Sequence, residues 1–194
     1  MKTALTLLLV LLASALPLVA QIPLNGAQGV TFDSQGNLYV ANYNTNQILI
    51  YNSQLIQTSS ISKGLSGPNR LAFDSEGNLY VSNNKGNSIT VYDPSGNQLT
   101  SRTITNRIKS PSGVAVDSAG NVFVCDNGSN LIAAYNSNGV LIGTFAQDNR
   151  HHHFIAPGAM TIMGPNIFIG TGPSAGQSFT NSYNIALMLT GHAK

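Results

Sequence analysis

Residues 70–83 read RLAFDSEGNLYVSN, and closely similar stretches lie on both sides of them. Residues 29–42 read GVTFDSQGNLYVAN, and residues 113–126 read GVAVDSAGNVFVCD. The matching aspartates are separated by 41 and then by 43 residues. Self-similarity at a period of this size predicts a repeat architecture.

A fourth segment keeps the apolar pattern but loses the turn between its strands. Residues 158–170 read GAMTIMGPNIFIG, and Asn166 lies 45 residues beyond Asn121 of the third repeat. The Asp-Ser-x-Gly sequence of the other copies is missing from it. We therefore expect three clear repeats and a degenerate fourth one.

Each repeat is predicted to begin with two short strands joined by a tight hairpin. Val30 and Phe32 alternate with the polar Thr31, which is typical of a strand with one buried face. An aspartate at the start of the connection accepts hydrogen bonds from backbone N–H groups, and a glycine takes the left-handed conformation that closes the turn. These structural turn residues are Asp33 and Gly36, Asp74 and Gly77, and Asp117 and Gly120.

Two further strands complete the predicted repeat. In the first repeat, residues 38–40 form the second strand and residues 48–51 the third, and a fourth strand is expected at 99–105 or 140–145 in later repeats. Four strands in about 43 residues is the spacing of a β-propeller blade. We therefore predict an all-β fold, a β-propeller with about four recognisable four-stranded blades. Their cores are expected near residues 29–59, 70–105, 113–145 and 158–190.

A longer pattern runs past the second strand of each repeat. That strand ends in Asn or Asp, an asparagine follows four residues later, and an isoleucine follows two residues after that. The residues are Asn42, Asn46 and Ile48, then Asn83, Asn87 and Ile89, then Asp126, Asn130 and Ile132. The chain resembles the NHL-repeat family of propellers, strongly over residues 26–145 and weakly over 155–194. It is also similar to the wider group of six-bladed propellers that includes the SMP-30/gluconolactonase proteins.

One position departs from the NHL pattern. The position that is usually basic in NHL blades is occupied in this chain by Gln47, Ser88 and Leu131. Only 8% of the residues are charged, and the formal net charge is +2. Nucleic-acid binding needs a clustered basic face. We therefore expect no nucleic-acid partner.

The number of repeats is small for this group of proteins. The resemblance implies about six blades, whereas residues 21–194 hold about four repeats of about 43 residues. The chain is therefore expected to be a short or partial member. An open arc of blades leaves strand edges unpaired, and such edges invite other strands. We expect the chain to self-associate through the open edges, to pair with a partner, or to tuck its N-terminal segment into the last blade.

The first twenty residues have the pattern of a secretory signal peptide. Lys2 precedes an apolar run over residues 4–13, and Pro17 and Ala20 follow it, with Ala13-Ser14-Ala15 as an alternative cleavage site. A positive start, a short apolar stretch and small residues near the cut are typical of such signals, and a membrane span needs about 20 residues. We predict a signal peptide at 1–20, cleavage near Ala20 and a propeller domain at 21–194. The mature protein is expected to be secreted or periplasmic, with no membrane span after cleavage.

The repeated polar and aromatic residues are interpreted by their positions in the blade. Because the turn aspartates recur in every clear repeat, we interpret them as blade architecture rather than as acid–base groups. Asn42, Asn83 and Asp126, at the end of strand two, form a ring of candidate ligand contacts on the loop face. Six aromatic residues recur at two positions and are interpreted as packing between blades: Tyr39, Tyr80, Phe123, Tyr51, Tyr92 and Tyr135.

Metal chemistry has few candidate ligands. The similarity to SMP-30-like lactonases implies a central divalent metal with an acidic ligand, but the only glutamate, Glu76, lies in a hairpin turn. Related lyases use histidines from separate blades, whereas three histidines are adjacent in this chain. Successive side chains of a strand point to opposite faces, so three adjacent histidines cannot all bind one metal ion. His151 and His153 are therefore only weak candidate ligands. The single Cys125, interpreted as a small, partly buried residue, excludes an intrachain disulfide and any multi-cysteine zinc site. We predict that the chain has no cofactor. A divalent metal such as calcium is expected only if the chain is an enzyme.

Three functions are consistent with this sequence. The favoured one is an exported, non-enzymatic binding module that recognises a protein, peptide or carbohydrate through its loop face. The alternative is a metal-dependent propeller enzyme of the lactonase or lyase type. A truncated paralogue without activity is the third. A propeller frame hosts many chemistries, so the fold by itself does not choose among them.

Overall fold

The structure is a computed structural model that describes residues 24–146, 156–171, 180–185 and 189. Within these ranges, fourteen β-strands form four antiparallel sheets. Each sheet corresponds to one sequence repeat, and we call the sheets blades 1 to 4 in chain order. The predicted all-β blade architecture is confirmed. No helix in the described ranges has the length and apolar character needed to cross a bilayer.

The strands of each blade follow one another in sequence order across the sheet. Blade 1 consists of β1 (Ala27–Phe32), β2 (Leu38–Asn42), β3 (Gln47–Tyr51) and β4 (Gln57–Ile61). Blade 2 consists of β5 (Pro68–Phe73), β6 (Leu79–Asn83) and β7 (Ser88–Tyr92). Blade 3 consists of β8 (Pro111–Val116), β9 (Val122–Asp126), β10 (Leu131–Tyr135) and β11 (Leu141–Phe145). Blade 4 consists of β12 (Pro157–Met163), β13 (Asn166–Thr171) and β14 (Thr180–Asn184).

The outer part of blade 2 differs from the sequence prediction. A regular fourth strand was expected at 99–105, but the chain meets β7 only at isolated bridges through Gln98 and Ile104. Between these bridges a 3-10 helix forms at Thr100–Arg102. Its local hydrogen bonds use backbone groups that a continuous ladder with β7 would need. Two of the four blades are therefore four-stranded and two are three-stranded within the described residues.

The first strands of adjacent blades lie side by side, and we call them the inner strands. β1 packs against β5, β5 against β8, and β8 against β12. Three of them begin with a proline, which loses no ladder hydrogen bond at the first residue of a strand. In all four the register shifts just after this start, as a β-bulge does. The described residues show no comparable packing of β12 on β1, so the blades form an arc in chain order.

The hydrophobic core lies in the joints between blades. Side chains alternate between the two faces of a sheet, and we call the face toward the preceding blade upstream and the other face downstream. In the first joint, Ala41 and Ile48 of blade 1 are buried with Leu71, Leu79 and Val81 of blade 2. Equivalent clusters fill the other two joints. Full burial of one such aliphatic side chain contributes roughly 1.5–3 kcal/mol, so the joints hold the arc together.

Candidate functional site

The repeated aspartates close the turns between the first and second strands. Asp74 Oδ1 accepts hydrogen bonds from the backbone N–H groups of Glu76 at 2.9 Å and Asn78 at 2.8 Å, and the Asn78 side-chain amide donates to Asp74 Oδ2 at 2.8 Å. Gly77 in this turn has a φ of +82°, the left-handed conformation that favours glycine. The Asp33 and Asp117 carboxylates accept the same three hydrogen bonds in the other two turns, where Gly36 and Gly120 have φ of +81° and +80°. Both oxygens of each carboxylate are therefore engaged within the turn.

A second set of turns, between the third and fourth strands, uses the same chemistry. Asp93 Oδ1 accepts from two backbone N–H groups of its turn at 2.9 and 2.8 Å, and Gly96 has a φ of +82°. The hydrogen bond from the Asn97 side-chain amide holds the pKa of Asp93 below its usual value. The equivalent residues in blades 1 and 3 are Asn52 and Asn136. This second set of turns was not predicted from the sequence, although DPSGN at 93–97 has the spacing of DSEGN at 74–78.

The side chains expected to form a ring on the loop face are buried. Their exposed fractions are 1% for Asn42 and 0% for both Asn83 and Asp126. Each accepts a hydrogen bond from a backbone N–H just before the inner strand of its own blade. The donors are Asn25 at 2.6 Å, Ser66 at 3.0 Å and Lys109 at 3.0 Å. Each of these side-chain oxygens is therefore used in a hydrogen bond inside its own blade.

The second repeated asparagine joins neighbouring blades. In each joint its side-chain oxygen accepts a hydrogen bond from a backbone N–H at the start of the next inner strand, and we call this contact the latch. The latches are Asn46 to Gly67 at 2.7 Å, Asn87 to Ser110 at 2.7 Å and Asn130 to Ala156 at 3.0 Å. All three asparagines have a positive φ, which asparagine tolerates better than most residues. The NHL-like asparagine pattern thus connects the blades.

Asp126 leaves one polar atom unsatisfied. Its Oδ2 atom is buried and has no hydrogen-bond partner. In blade 2 the corresponding Asn83 amide donates to Thr90 Oγ1 at 2.9 Å, whereas Ala133 occupies the Thr90 position in blade 3. A buried carboxylate oxygen without a donor costs free energy. The buried side chain of Asp126 therefore has fewer hydrogen-bond partners than that of Asn83.

Buried tyrosines add polar contacts to the joints. Tyr92 Oη donates to the Lys63 carbonyl at 2.6 Å, and Tyr135 Oη donates to the Asn106 carbonyl at 2.7 Å. Burial, assisted by the nearby Asp126 carboxylate, raises the pKa of Tyr135 to about 12. Both acceptors lie in the segment that leads from the preceding blade into the blade of the tyrosine. Tyrosine therefore anchors this connecting segment in two joints.

Cys125 packs in the joint between blades 3 and 4. Its thiol is free and fully buried, so it is more enclosed than the partly buried position expected from the sequence. Burial raises the pKa of the Cys125 thiol well above its usual value. Because the thiolate is the reactive form of cysteine, this thiol is not activated as a nucleophile.

A groove opens between blades 1 and 2, at the end of the strands where the aspartate turns lie. It consists of two adjoining cavities of about 270 and 220 Å³, which share Tyr39, Phe73, Gly77 and Pro94. The rings of Tyr39 and Phe73 meet edge to face, with centroids 5.1 Å apart and an interplanar angle of 85°. The floor of the groove is therefore aromatic.

The rim of this groove is polar and includes a strand edge. Asp33, Asp74 and Glu76 border the larger cavity, and Ser59 and Ser60 of β4 border the smaller one. β4 is the last strand of its sheet, and its first four residues are exposed. The outer edge of such a strand presents backbone N–H and C=O groups that pair with an extended chain.

The metal ligands considered from the sequence are not assembled in the described part of the chain. His151 and His153 lie outside the described residues. Within the described ranges, no group of three or more His, Cys, Asp or Glu side chains is placed to hold a metal ion. The Glu76 side chain is 71% exposed and lies in its turn. These residues do not fit the lactonase metal site that the resemblance implies.

Comparison with known proteins identifies the repeat. The model of the NHL repeat matches residues 24–51, which include β1 to β3, and residues 109–135, which include β8 to β10. The chain carries NHL repeats. The resemblance to this family is therefore confirmed at two segments. No curated protein sequence matches the chain.

Solved structures that are similar in fold to this chain are longer than it is. The chain is similar to virginiamycin B lyase from Staphylococcus aureus, with a TM-score of 0.63 and 16% identity over 83% of this chain and 57% of that one. It is similar to a streptogramin B lyase, with a TM-score of 0.62 and 14% identity over 82% and 55%. It is also similar to hydrazine synthase from Kuenenia stuttgartiensis, with a TM-score of 0.68 and 18% identity over 86% and 48%. The NHL-repeat chain thus spans about half the length of these proteins, and the likeness concerns the fold alone.

Proposed function

We propose that this chain is an exported interaction module that binds an extended protein segment in the groove between blades 1 and 2. The observation that carries the proposal is the position of the aromatic floor beside the free edge of β4. An extended peptide that adds to a strand edge gains main-chain hydrogen bonds, and a neighbouring pocket reads one of its side chains. Tyr39 and Phe73 offer that side chain an apolar surface.

The position of the groove also indicates at which end of the strands the peptide binds. The polar ring of Asn42, Asn83 and Asp126 is engaged inside the blades, so binding is assigned to the opposite ends of the strands, where the aspartate turns lie. Both cavities are open between two blades and are lined by polar and apolar groups together. Such mixed lining suits a peptide better than a purely apolar ligand.

Selection from a displayed library of random heptapeptides tests the groove. Selected peptides are expected to bind the purified chain and to lose affinity for the variant Ser59→Lys, which places a long charged side chain at the edge of the groove. Ser129→Lys, a change at an exposed serine of blade 3 outside the groove, is the matched control and should bind normally. Equal binding to both variants, or no enrichment over a blank surface, would contradict the proposal.

Export is a separate part of the proposal and has its own test. Residues 1–20 lie outside the described residues, and the pattern around Lys2 and Ala20 supports a cleaved signal. Protein collected outside the producing cytoplasm should begin at Gln21 or close to it when its N-terminus is sequenced. Retention of Met1 on that protein would overturn export by cleavage.

An enzyme remains the second candidate because of the fold similarity to two lyases. A catalytically inactive form of virginiamycin B lyase has been solved with quinupristin, so quinupristin is a practical probe. The interaction-module proposal expects no conversion of quinupristin, or of a simple lactone, with or without added divalent metal. Metal-dependent turnover that disappears in His151→Ala or His153→Ala would replace it. A chain with neither turnover nor peptide enrichment would fit the truncated paralogue instead.

A further inference from the structure

One short motif of the chain is used neither by the blades nor by the groove. The sequence contains 22 asparagines, and only Asn127 is followed two residues later by a serine or threonine, in Asn127-Gly128-Ser129. Asparagine, then any residue except proline, then serine or threonine is the acceptor sequence for N-linked glycosylation in exported proteins. The motif by itself does not make a site, so its surroundings in the fold are decisive.

The motif lies in the turn between β9 and β10 of blade 3. Gly128 and Ser129 are exposed and Asn127 is half-buried, and all three lie outside the strands of the sheet. The backbone of the turn is already fixed, because the Ser129 N–H donates to the Asp126 carbonyl at 3.2 Å and the Gly128 N–H donates to the Lys109 carbonyl at 2.9 Å. A surface turn of this kind accepts added bulk without disturbing a strand ladder.

The Asn127 side chain differs from its counterparts in the other blades. The first residue of this turn is Tyr43 in blade 1 and Asn84 in blade 2. Tyr43 Oη donates to Asn84 Oδ1 at 3.3 Å, and Asn84 Nδ2 donates to the Pro111 carbonyl at 3.2 Å, so each side chain contacts the next blade. Among the described residues, the Asn127 amide makes no hydrogen bond. A sugar on Asn84 would break a contact between blades, whereas a sugar on Asn127 breaks none.

The side chains that connect blade 3 to its surroundings flank the motif without using it. Asn130 Oδ1, later in the same turn, accepts from the Ala156 N–H at 3.0 Å and forms the latch to blade 4. Asp126 Oδ1, just before the motif, accepts from the Lys109 N–H at 3.0 Å. Neither contact involves the Asn127 amide, so its modification leaves both of them intact.

We propose that Asn127 is the acceptor of an N-linked glycan on the exported chain. In this reaction the Asn127 Nδ2 atom attacks the first carbon of a sugar chain that is carried on a lipid pyrophosphate. The new bond joins Nδ2 to that carbon, the bond from the carbon to the pyrophosphate oxygen breaks, and Nδ2 loses one proton. The lipid pyrophosphate is the leaving group. The inference rests on the export part of the proposed function, because the chain meets this donor on the export route.

The glycan and the peptide groove are compatible with each other. The β9–β10 turn lies at the strand ends opposite the aspartate turns, whereas the groove lies beside the aspartate turns of blades 1 and 2. A hydrated sugar chain at the far end of blade 3 therefore leaves the groove open. Only 8% of the residues are charged, and a surface glycan is solubilising, so the sugar would also help to keep this chain in solution.

Secretion of the full chain from a cell that performs N-linked glycosylation tests the site. Mass spectrometry of the secreted chain should find one glycan, on the peptide that contains Asn127, and an amidase that releases N-linked glycans should remove it. Asn127→Gln and Ser129→Ala should each abolish the modification, because the acceptor sequence needs both the asparagine and the hydroxyl. Asn138→Gln is the matched control and should keep the glycan, since Asn138 also precedes a glycine in an exposed turn but no hydroxyl follows it.

Val140→Thr is the positive control, because it creates a second acceptor sequence at Asn138 in the same blade. A glycan on Asn138 in this variant, with Asn127 left bare, would overturn the proposal, since export and sugar transfer would both have been shown to work. A secreted chain that begins near Gln21 and carries no sugar on Asn127 would overturn the proposal and leave export standing. Retention of Met1 would contradict export and the modification together.

Discussion

Asp126 is the position at which a single side chain most clearly departs from the pattern of its repeat. Blades 1 and 2 carry asparagine there, and Asn83 uses both ends of its amide. The carboxylate of Asp126 keeps the acceptor that receives the Lys109 N–H but leaves Oδ2 buried without a donor. Asn and Asp count as similar residues when the repeats are compared. In this joint they differ, because an asparagine amide can donate a hydrogen bond and a carboxylate cannot.

The double variant Asp126→Asn/Ala133→Thr, which recreates the Asn83–Thr90 pair in blade 3, is therefore expected to stabilise the chain by about 1 kcal/mol, since an unsatisfied buried polar atom costs about 1–3 kcal/mol. The measurement is the free energy of unfolding in urea at neutral pH. Thr90→Ala is the reciprocal control and should destabilise the chain, because it leaves the Asn83 amide without its acceptor. A stability loss in the double variant would contradict this account of the joint.

The three equivalent tyrosines allow a comparison of one hydroxyl in different surroundings. Tyr92→Phe removes the hydrogen bond to the Lys63 carbonyl and is expected to lower the free energy of unfolding by about 0.5–1.5 kcal/mol. Tyr51→Phe removes a hydroxyl that has no partner and should cost nothing or stabilise slightly. Denaturant unfolding of both variants separates these outcomes. Equal losses would show that Tyr51 has an acceptor.

Turns are the elements that the sequence predicted most directly. The Asp-x-x-Gly spacing fixes both the acceptor and the left-handed residue, so the first set of turns follows from short-range chemistry. Blade 1 breaks the rule in its second turn, where Leu55 has a φ of +59° at the position of Gly96 and Gly139. A side chain in this conformation is strained, by about 1–2 kcal/mol per residue.

Leu55→Gly is accordingly expected to raise the melting temperature by a few degrees, corresponding to about 1 kcal/mol. Leu55 is 51% exposed, so little packing is lost with its side chain. Gly96→Ala is the matched control in blade 2 and should lower the melting temperature. Its new Cβ meets only ordinary contacts, 3.7 Å from Ile61, so strain in the backbone is the cause. A lower melting temperature for Leu55→Gly would mean that the turn is not strained.

The outer strands were harder to predict than the turns and inner strands. The outer strand of blade 3 was expected at 140–145 and is observed at Leu141–Phe145, whereas the corresponding segment of blade 2 forms a 3-10 helix at Thr100–Arg102. Outer segments have a sheet neighbour on one side only, so local bonds and the Arg102 contacts with Asp74 and Glu76 compete with the ladder. That competition depends on contacts between residues far apart in the sequence, and a local sequence pattern does not reveal such contacts.

For the molecule as a whole, the repeat period was sufficient to predict the propeller. The surroundings of the candidate site residues were less predictable, because a repeat pattern identifies which side chains recur but not where each oxygen points. Asn42, Asn83 and Asp126 were expected to face a ligand, and they face backbone N–H groups of their own blades. The groove was not anticipated either, since Tyr39 and Phe73 belong to different repeats and meet only in the folded joint.

We infer that the repeated asparagines connect neighbouring blades through the latches rather than bind a ligand. Asn87 accepts from the Ser110 N–H across the joint between blades 2 and 3 at 2.7 Å. Asn87→Gly keeps the left-handed backbone, which glycine adopts readily, and removes only the acceptor. Asn87→Asp keeps the acceptor oxygen and serves as the control.

The most direct measurement is hydrogen exchange of the Ser110 amide in these two variants and in the unaltered chain. Because a latch protects this amide from solvent, exchange in Asn87→Gly should accelerate by roughly tenfold or more, while Asn87→Asp should stay close to the unaltered chain. Amides in the middle of β9, far from the latch, should change much less. Unchanged Ser110 exchange in Asn87→Gly, in a chain that remains folded, would contradict the account of NHL-repeat asparagines as joints between blades.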